Sequence, residues 1–193
     1  NSDGTKFGKS EGNAIWLDAE MCSPYRMYQF WLSTTDADVI DRLKVFTFLS
    51  RAEIEEYATL VADEPFRRAA QKRLALEVVS TVHGVDAAAA VIAASEALFG
   101  QGDLTGLDAT TLRTALDELP HVTVAAGTPV TDALVATGLV SSASEARRAI
   151  SQGGVTLDGA RVEDDSVTVQ GSLPGGVSVL RRGKKTLAGV FIG

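Results

Sequence analysis

The feature that most constrains this chain is a change of hydrophobic period part-way along it. Between Ser23 and Leu119 apolar side chains return every third or fourth residue, the spacing that lines one side of a helix. After Gly153-Gly154 they alternate in twos, as on a half-buried strand. Helix stripes and strand faces bury their apolar surface differently, so the expected class is α+β overall. An all-helical domain comes first, then a small α+β domain of two helices on a short antiparallel sheet.

The spacing predicts helices over 24–33, 36–48, 65–83, 85–99 and 108–118, and another opened by a Ser50/Glu53 capping box and running through Val61. Residues 1–13 read as a polar loop, 14–119 as the helical domain, 120–128 as a linker without helical period, and 129–193 as the second domain. In the latter a short helix follows Pro129, and a Ser142/Glu145 capping box opens another that ends at Gly153-Gly154. Asp158-Gly159 suits a type I′ turn joining Val155–Leu157 to Arg161-Val162, and further strands fit 167–169, 177–180 and 187–192. Trp16, Trp31, Phe46 and Phe48 are expected in the core, Asp36 and Asp38 at the cap of the second helix, and His83 against the last carbonyls of its helix. His121 has no visible partner.

Composition excludes some classes. At 45% hydrophobic residues the chain can bury an ordinary core, and its one cysteine, Cys22, can neither form an internal disulfide nor complete a zinc site. A reducing, cytoplasmic setting is expected. No apolar run is long enough to cross a membrane, Asn1-Ser2-Asp3-Gly4 is not a secretion signal, and an initial Asn is consistent with a segment of a longer chain. The net charge of −7 argues against nucleic acid as a partner, but it is an average. Residues 1–128 carry 11 Lys+Arg against 19 Asp+Glu, whereas 129–193 carry 7 against 6. Six of the seven basic residues of that second stretch cluster as Arg147-Arg148 and as Arg181-Arg182 with Lys184-Lys185, and local clusters count for more than the total.

In Lys6-Phe7-Gly8-Lys9-Ser10 two lysines flank a glycine, with a hydroxyl next to the second. Ammonium groups act as point charges that can follow a triphosphate, and glycine admits close backbone approach. Five residues alone fit a solvated loop better, and the P-loop spacing is absent. The context is more specific. The pentapeptide resembles the KMSKS signature of class I aminoacyl-tRNA synthetases in its tyrosyl form. Glu11 to Asp18, Ser23-Pro24-Tyr25, Tyr28 to Trp31, Asp36 to Val39, Lys44 to Phe48 and Leu180 to Lys185 are similar to the bacterial tyrosyl-tRNA synthetase family.

That resemblance implies ATP-dependent activation of tyrosine and transfer to tRNA(Tyr), with Lys6 and Lys9 catalytic. Both would stabilise the pyrophosphate as negative charge builds on it during attack by the tyrosine carboxylate. Lys6, Phe7, Gly8, Lys9 and Ser10 would form the ATP loop, with Mg2+ accompanying ATP and no protein-bound metal site. Residues 14–119 would be the anticodon-binding domain, in which Asp36 or Asp38 could reach a base, and 129–193 resemble an S-four-type RNA-binding domain. Arg147, Arg148, Arg181, Arg182, Lys184 and Lys185 are the implied RNA-binding residues, one of the Arg147/Arg148 pair on RNA and the other in a salt link or solvent. For Arg67, Arg68, Lys72 and Arg73 a solvated surface and an RNA contact are equally good readings. The family's catalytic Rossmann-type domain, with its His-x-Gly-His signature and tyrosine pocket, is absent from these residues, so alone they are expected to be inactive. A homodimer is expected of the full-length protein. The alternative is a non-catalytic module that binds structured RNA.

Overall fold

A computed structural model describes residues 15–100, 102–184 and 186–193. The Lys6 to Ser10 loop and Lys185 therefore lie outside the described residues. The chain divides into two compact units that meet at Ile92-Ala93. This division differs from the boundary expected near 119–120.

In the first unit, helices α1 (Pro24–Leu32), α2 (Asp36–Phe46) and α3 (Arg51–Asp63) pack on α4 (Ala69–His83). The start of α1 is set as the sequence implies: the Ser23 hydroxyl accepts from the Arg26 amide and Pro24 fills the first turn. Ser50 and Glu53 close a reciprocal capping box on α3. Leu74, Ala75 and Val79 of α4 are fully buried among Tyr25, Met27, Val39 and Leu43. The predicted 65–83 helix is interrupted. Pro65–Arg67 is a short 3-10 turn and Arg68 takes the left-handed conformation (φ 51°), because its guanidinium binds the carbonyls of Leu32 and Thr34 at 2.5 and 3.2 Å. The cost of that backbone is offset by satisfying two carbonyls at the exit of α1.

Three expected core aromatics are at the surface. Trp31 is buried, but Trp16 is 51% and Phe46 40% exposed, and α2 stops at Phe46, leaving Phe48 in the following extended segment at 91% exposure. A helix continued to residue 48 would have turned Phe48 with its period. The extended backbone at Thr47 (φ −130°, ψ 164°) breaks that phase. His83 also departs from expectation, since its Nε2 is buried without a hydrogen-bond partner among the described residues and burial pushes its pKa down. Burial disfavours the charged form of the ring, and no hydrogen bond from Nε2 ties it to the helix carbonyls.

Helix α5 (Val85–Phe99) runs across the division between the units, and α6 (Ala109–Asp117) belongs to the second. The strands there are β1 (His121–Val124), β2 (Thr128–Pro129), β3 (Val155–Leu157), β4 (Ala160–Arg161), β5 (Thr168–Val169), β6 (Val177–Arg182) and β7 (Thr186–Ile192), with helices α7 (Val130–Ala136) and α8 (Ala143–Ser151). The main sheet has the order β1-β7-β6-β3-β4, and β2 pairs with β5 in a separate two-stranded ribbon.

Two expectations change. The segment read as a linker supplies β1, and β1 lies parallel to β7, so the sheet is mixed rather than antiparallel. A short polar-apolar run such as His121-Val-Thr-Val carries too few residues to reveal a strand by period, and its partner lies about seventy positions away. α6 packs on β7, which moves it from the helical domain into the second unit. Gly189 is where they meet: a Cβ there would come within 2.9 Å of the Leu116 Cβ. On the opposite face α7 and α8 bury Val130, Leu134, Ala146 and Ile150 against Val155, Leu180, Ala188 and Val190.

Candidate nucleic-acid interface

The predicted RNA-binding residues among those described lie on helix α8 and on strand β6 with the turn that follows it. Ser142 caps α8 by accepting from the Glu145 amide at 3.2 Å. The Glu145 carboxylate turns instead to the Ser141 amide and hydroxyl, at 2.8 and 2.7 Å, so the expected box is only half formed. On α8, Arg147 and Arg148 diverge. Arg147 pairs with Asp165 at 3.0 Å, and Arg148 stands exposed with no side-chain partner among the described residues.

Strand pairing decides what Arg181 and Arg182 do. Arg182 is opposite Val155, whose side chain is in the core, so Arg182 reaches toward the helical face. There it donates to the Leu139 carbonyl at 2.7 Å and to Glu145 at 2.8 Å. Ser141, through its hydroxyl and amide, and then Arg182 hold the Glu145 pKa down to about 2. Arg181 is opposite Thr156 and points to the other face, where it donates to the Leu98 carbonyl at 2.5 Å and to the Lys184 carbonyl at 3.3 Å. It also lines a cleft of about 350 Å³ with Ala97, Leu104, Thr156 and Val179. Both guanidiniums are thus engaged within the protein, and neither forms an open pair along the strand. Lys184, after the left-handed Gly183 (φ 65°), is exposed.

Arg161, which sequence reasoning passed over as a hairpin residue, belongs with this group. The hairpin forms as expected: Asp158 (φ 52°) and Gly159 (φ 86°) are both left-handed, and the Asp158 carboxylate fixes the turn by accepting from Ser172, Ser178 and the Val179 amide. This brings Arg161 back over the end of α8, with its guanidinium against Gly153. The only sequence signal was a basic residue two positions past an Asp-Gly turn.

The first unit treats its cations differently. Arg67 pairs with Glu64 at 2.7 Å, Arg73 with Glu77 at 2.9 Å and with Glu53 at 3.8 Å, and Arg51 with Glu55 at 2.7 Å. Arg68 is bound to carbonyls, and Lys72 is exposed. Asp36 stands in the first turn of α2, where it accepts from the buried Gln71 amide at 2.6 Å. Asp38 accepts from the Thr35 hydroxyl at the helix start. Among the described residues no group of three His, Cys, Asp or Glu side chains could hold a metal, and no helix is long and apolar enough to cross a membrane.

A family model described as tRNA synthetases class I (W and Y) matches residues 1–100, and one described as the tyrosine–tRNA ligase SYY-like C-terminal domain matches residues 111–189. The chain belongs to the class I tRNA synthetases of the tryptophan and tyrosine branch. Among its relatives are tyrosine–tRNA ligases. It is 66% identical to the tyrosine–tRNA ligase of Leifsonia xyli subsp. xyli, over 100% of this chain and 44% of that protein. It is 51% identical to the tyrosine–tRNA ligase of Streptomyces coelicolor, over 99% of this chain and 46% of that one. The chain therefore spans about half the length of the curated relatives it matches. A solved structure of a C-terminally truncated Aspergillus nidulans mitochondrial tyrosyl-tRNA synthetase aligns at 45% identity over 45% of this chain and 26% of that chain, with a TM-score of 0.44.

Proposed function

We propose that this chain is the tRNA-handling portion of a tyrosine–tRNA ligase, joined to an ATP loop whose catalytic partners lie in the remainder of a longer protein. The observation that carries this reading is the family match running unbroken from residue 1 through residue 100, across both the Lys6 to Ser10 loop and the first unit. In the assembled enzyme Lys6 and Lys9 stabilise the pyrophosphate as it leaves, Phe7, Gly8 and Ser10 complete the ATP contacts, and Mg2+ arrives with the nucleotide. The first unit faces the anticodon region of tRNA(Tyr), and the second holds the tRNA backbone through exposed cations of the 147–184 region. The full-length protein works as a cytoplasmic homodimer.

The test is made in the full-length protein. Lys9→Ala should slow tyrosyl-adenylate formation about a hundredfold, as loss of one transition-state contact does, with tyrosine affinity nearly unchanged. A large rise in the tyrosine KM at an unchanged rate would remove Lys9 from that role. Binding supplies an independent check: this chain should prefer tRNA(Tyr) to bulk tRNA at fixed salt, and equal affinity would favour a general module for structured RNA.

A further inference from the structure

We propose that Arg148, Arg161 and Lys184 form a phosphate clamp around Gly153-Gly154 and that Arg161 is the residue that seats the phosphate, a role resting on the RNA-binding reading above. Three backbone hydrogen bonds build the node. The Gly153 amide donates to Ile150 at 2.8 Å, the Gly154 amide to Ala149 at 2.9 Å, and the Gly183 amide crosses from the β6–β7 turn to the Gly154 carbonyl at 2.8 Å. The last crossing brings Lys184 beside the end of α8.

Arg148 stands in the last turn of α8, next to the same end. It lies three residues after Glu145 and so shares its face, which Arg182 marks as the side toward the β6–β7 turn. Arg161 arrives from β4. Its guanidinium lies so close to Gly153 that a Cβ built there would overlap it, and Gly153 holds a left-handed backbone (φ 68°). Glycine at 153 thus satisfies two demands, the conformation and the space for a flat cation.

The surrounding pairs set the charge. Arg147 is balanced by Asp165 and Arg182 by Glu145. Arg148, Arg161 and Lys184 are all exposed, and no ion pair binds them among the described residues. Three cations on elements that meet at one backbone turn fit the phosphodiester of a structured RNA, with the planar guanidinium offering paired donors to two phosphate oxygens. Because such contacts read no base, the clamp sets position and register on the RNA.

The experiment measures binding of this chain to a tRNA(Tyr) transcript between about 50 and 300 mM salt, alongside thermal unfolding. Arg161→Ala should retain the fold, weaken binding about threefold to tenfold and make the slope of log affinity against log salt shallower by about one. Arg161→Lys should restore the slope but only part of the affinity, since an ammonium lacks the fork. Gly153→Ala will lower stability through its backbone, and any change it makes in the slope should vanish when Arg161 is already alanine. An unchanged slope in folded Arg161→Ala, with wild-type binding intact, overturns the clamp and leaves the RNA-binding reading standing. If folded Arg182→Ala loses a full unit of slope, the phosphate sits on the β6 arginines and the clamp is likewise wrong. Absence of salt-dependent binding in the wild type overturns both.

Discussion

The two units use their arginines to opposite ends. In the helical unit Arg51, Arg67 and Arg73 each meet a glutamate on the same surface, and Arg68 is spent on the carbonyls that close α1. In the second unit some cations are consumed in the same way, Arg147 on Asp165 and Arg182 on Glu145, yet Arg148, Arg161 and Lys184 are left facing solvent. A basic cluster in sequence is therefore a poor measure of available charge. What matters is which cations the fold has already neutralised, because a paired guanidinium must give up its carboxylate before it can neutralise a phosphate.

The largest expected effect tests whether the second unit's sheet is what displays those free cations. Leu180 is fully buried between α7, α8 and the strands, and Leu180→Ala should cost about 2–5 kcal/mol in denaturant unfolding and reduce tRNA binding with it. Binding that persists at full strength in the destabilised protein would detach the display from the sheet. Next in size, replacing Arg148 and Lys184 together by alanine should make the salt slope shallower by about two, whereas Lys72→Ala with Arg73→Ala in the helical unit should leave it unchanged. A drop in the second pair as large as in the first would erase the contrast between the units.

The contrast can also be sharpened through pH. Glu145 is held at about 2 against an ordinary 4.5, so its contribution to stability is fully present above about 4.5 and is lost as pH falls toward about 2. Unfolding midpoints of the wild type should fall across that window, and Glu145→Gln should flatten the fall. A variant profile parallel to the wild type would mean that Arg182 and Ser141 do not hold that carboxylate. The smallest effect is expected for Arg67→Ala, whose exposed pair with Glu64 should be worth less than about 0.5 kcal/mol by thermal unfolding, with tRNA binding unaffected.

Much of this was legible in the residues. The helical periods over 24–33 and 85–99, the Ser23 and Ser50 starts and the Asp158-Gly159 turn are local signals, and each formed within a residue of where its pattern placed it. The strand at 121–124 was not legible, because its identity comes from pairing with β7 at the far end of the unit. Phe48 was misplaced for a related reason. Its apolar character suits a core, but α2 ends two residues earlier and the chain turns it outward.

The candidate interface divides along the same line. The sequence by itself determined the family, through motifs that are contiguous and so survive in one dimension, and it located the basic clusters. Only the tertiary structure decided which of those charges remain available. The pairing of Val155 with Arg182 sends that side chain to Glu145, and the return of the β3–β4 hairpin brings Arg161 onto Gly153. The physical reason is that electrostatic neutralisation depends on separations of a few ångströms between groups distant in the chain, and those separations exist only once the sheet register is set.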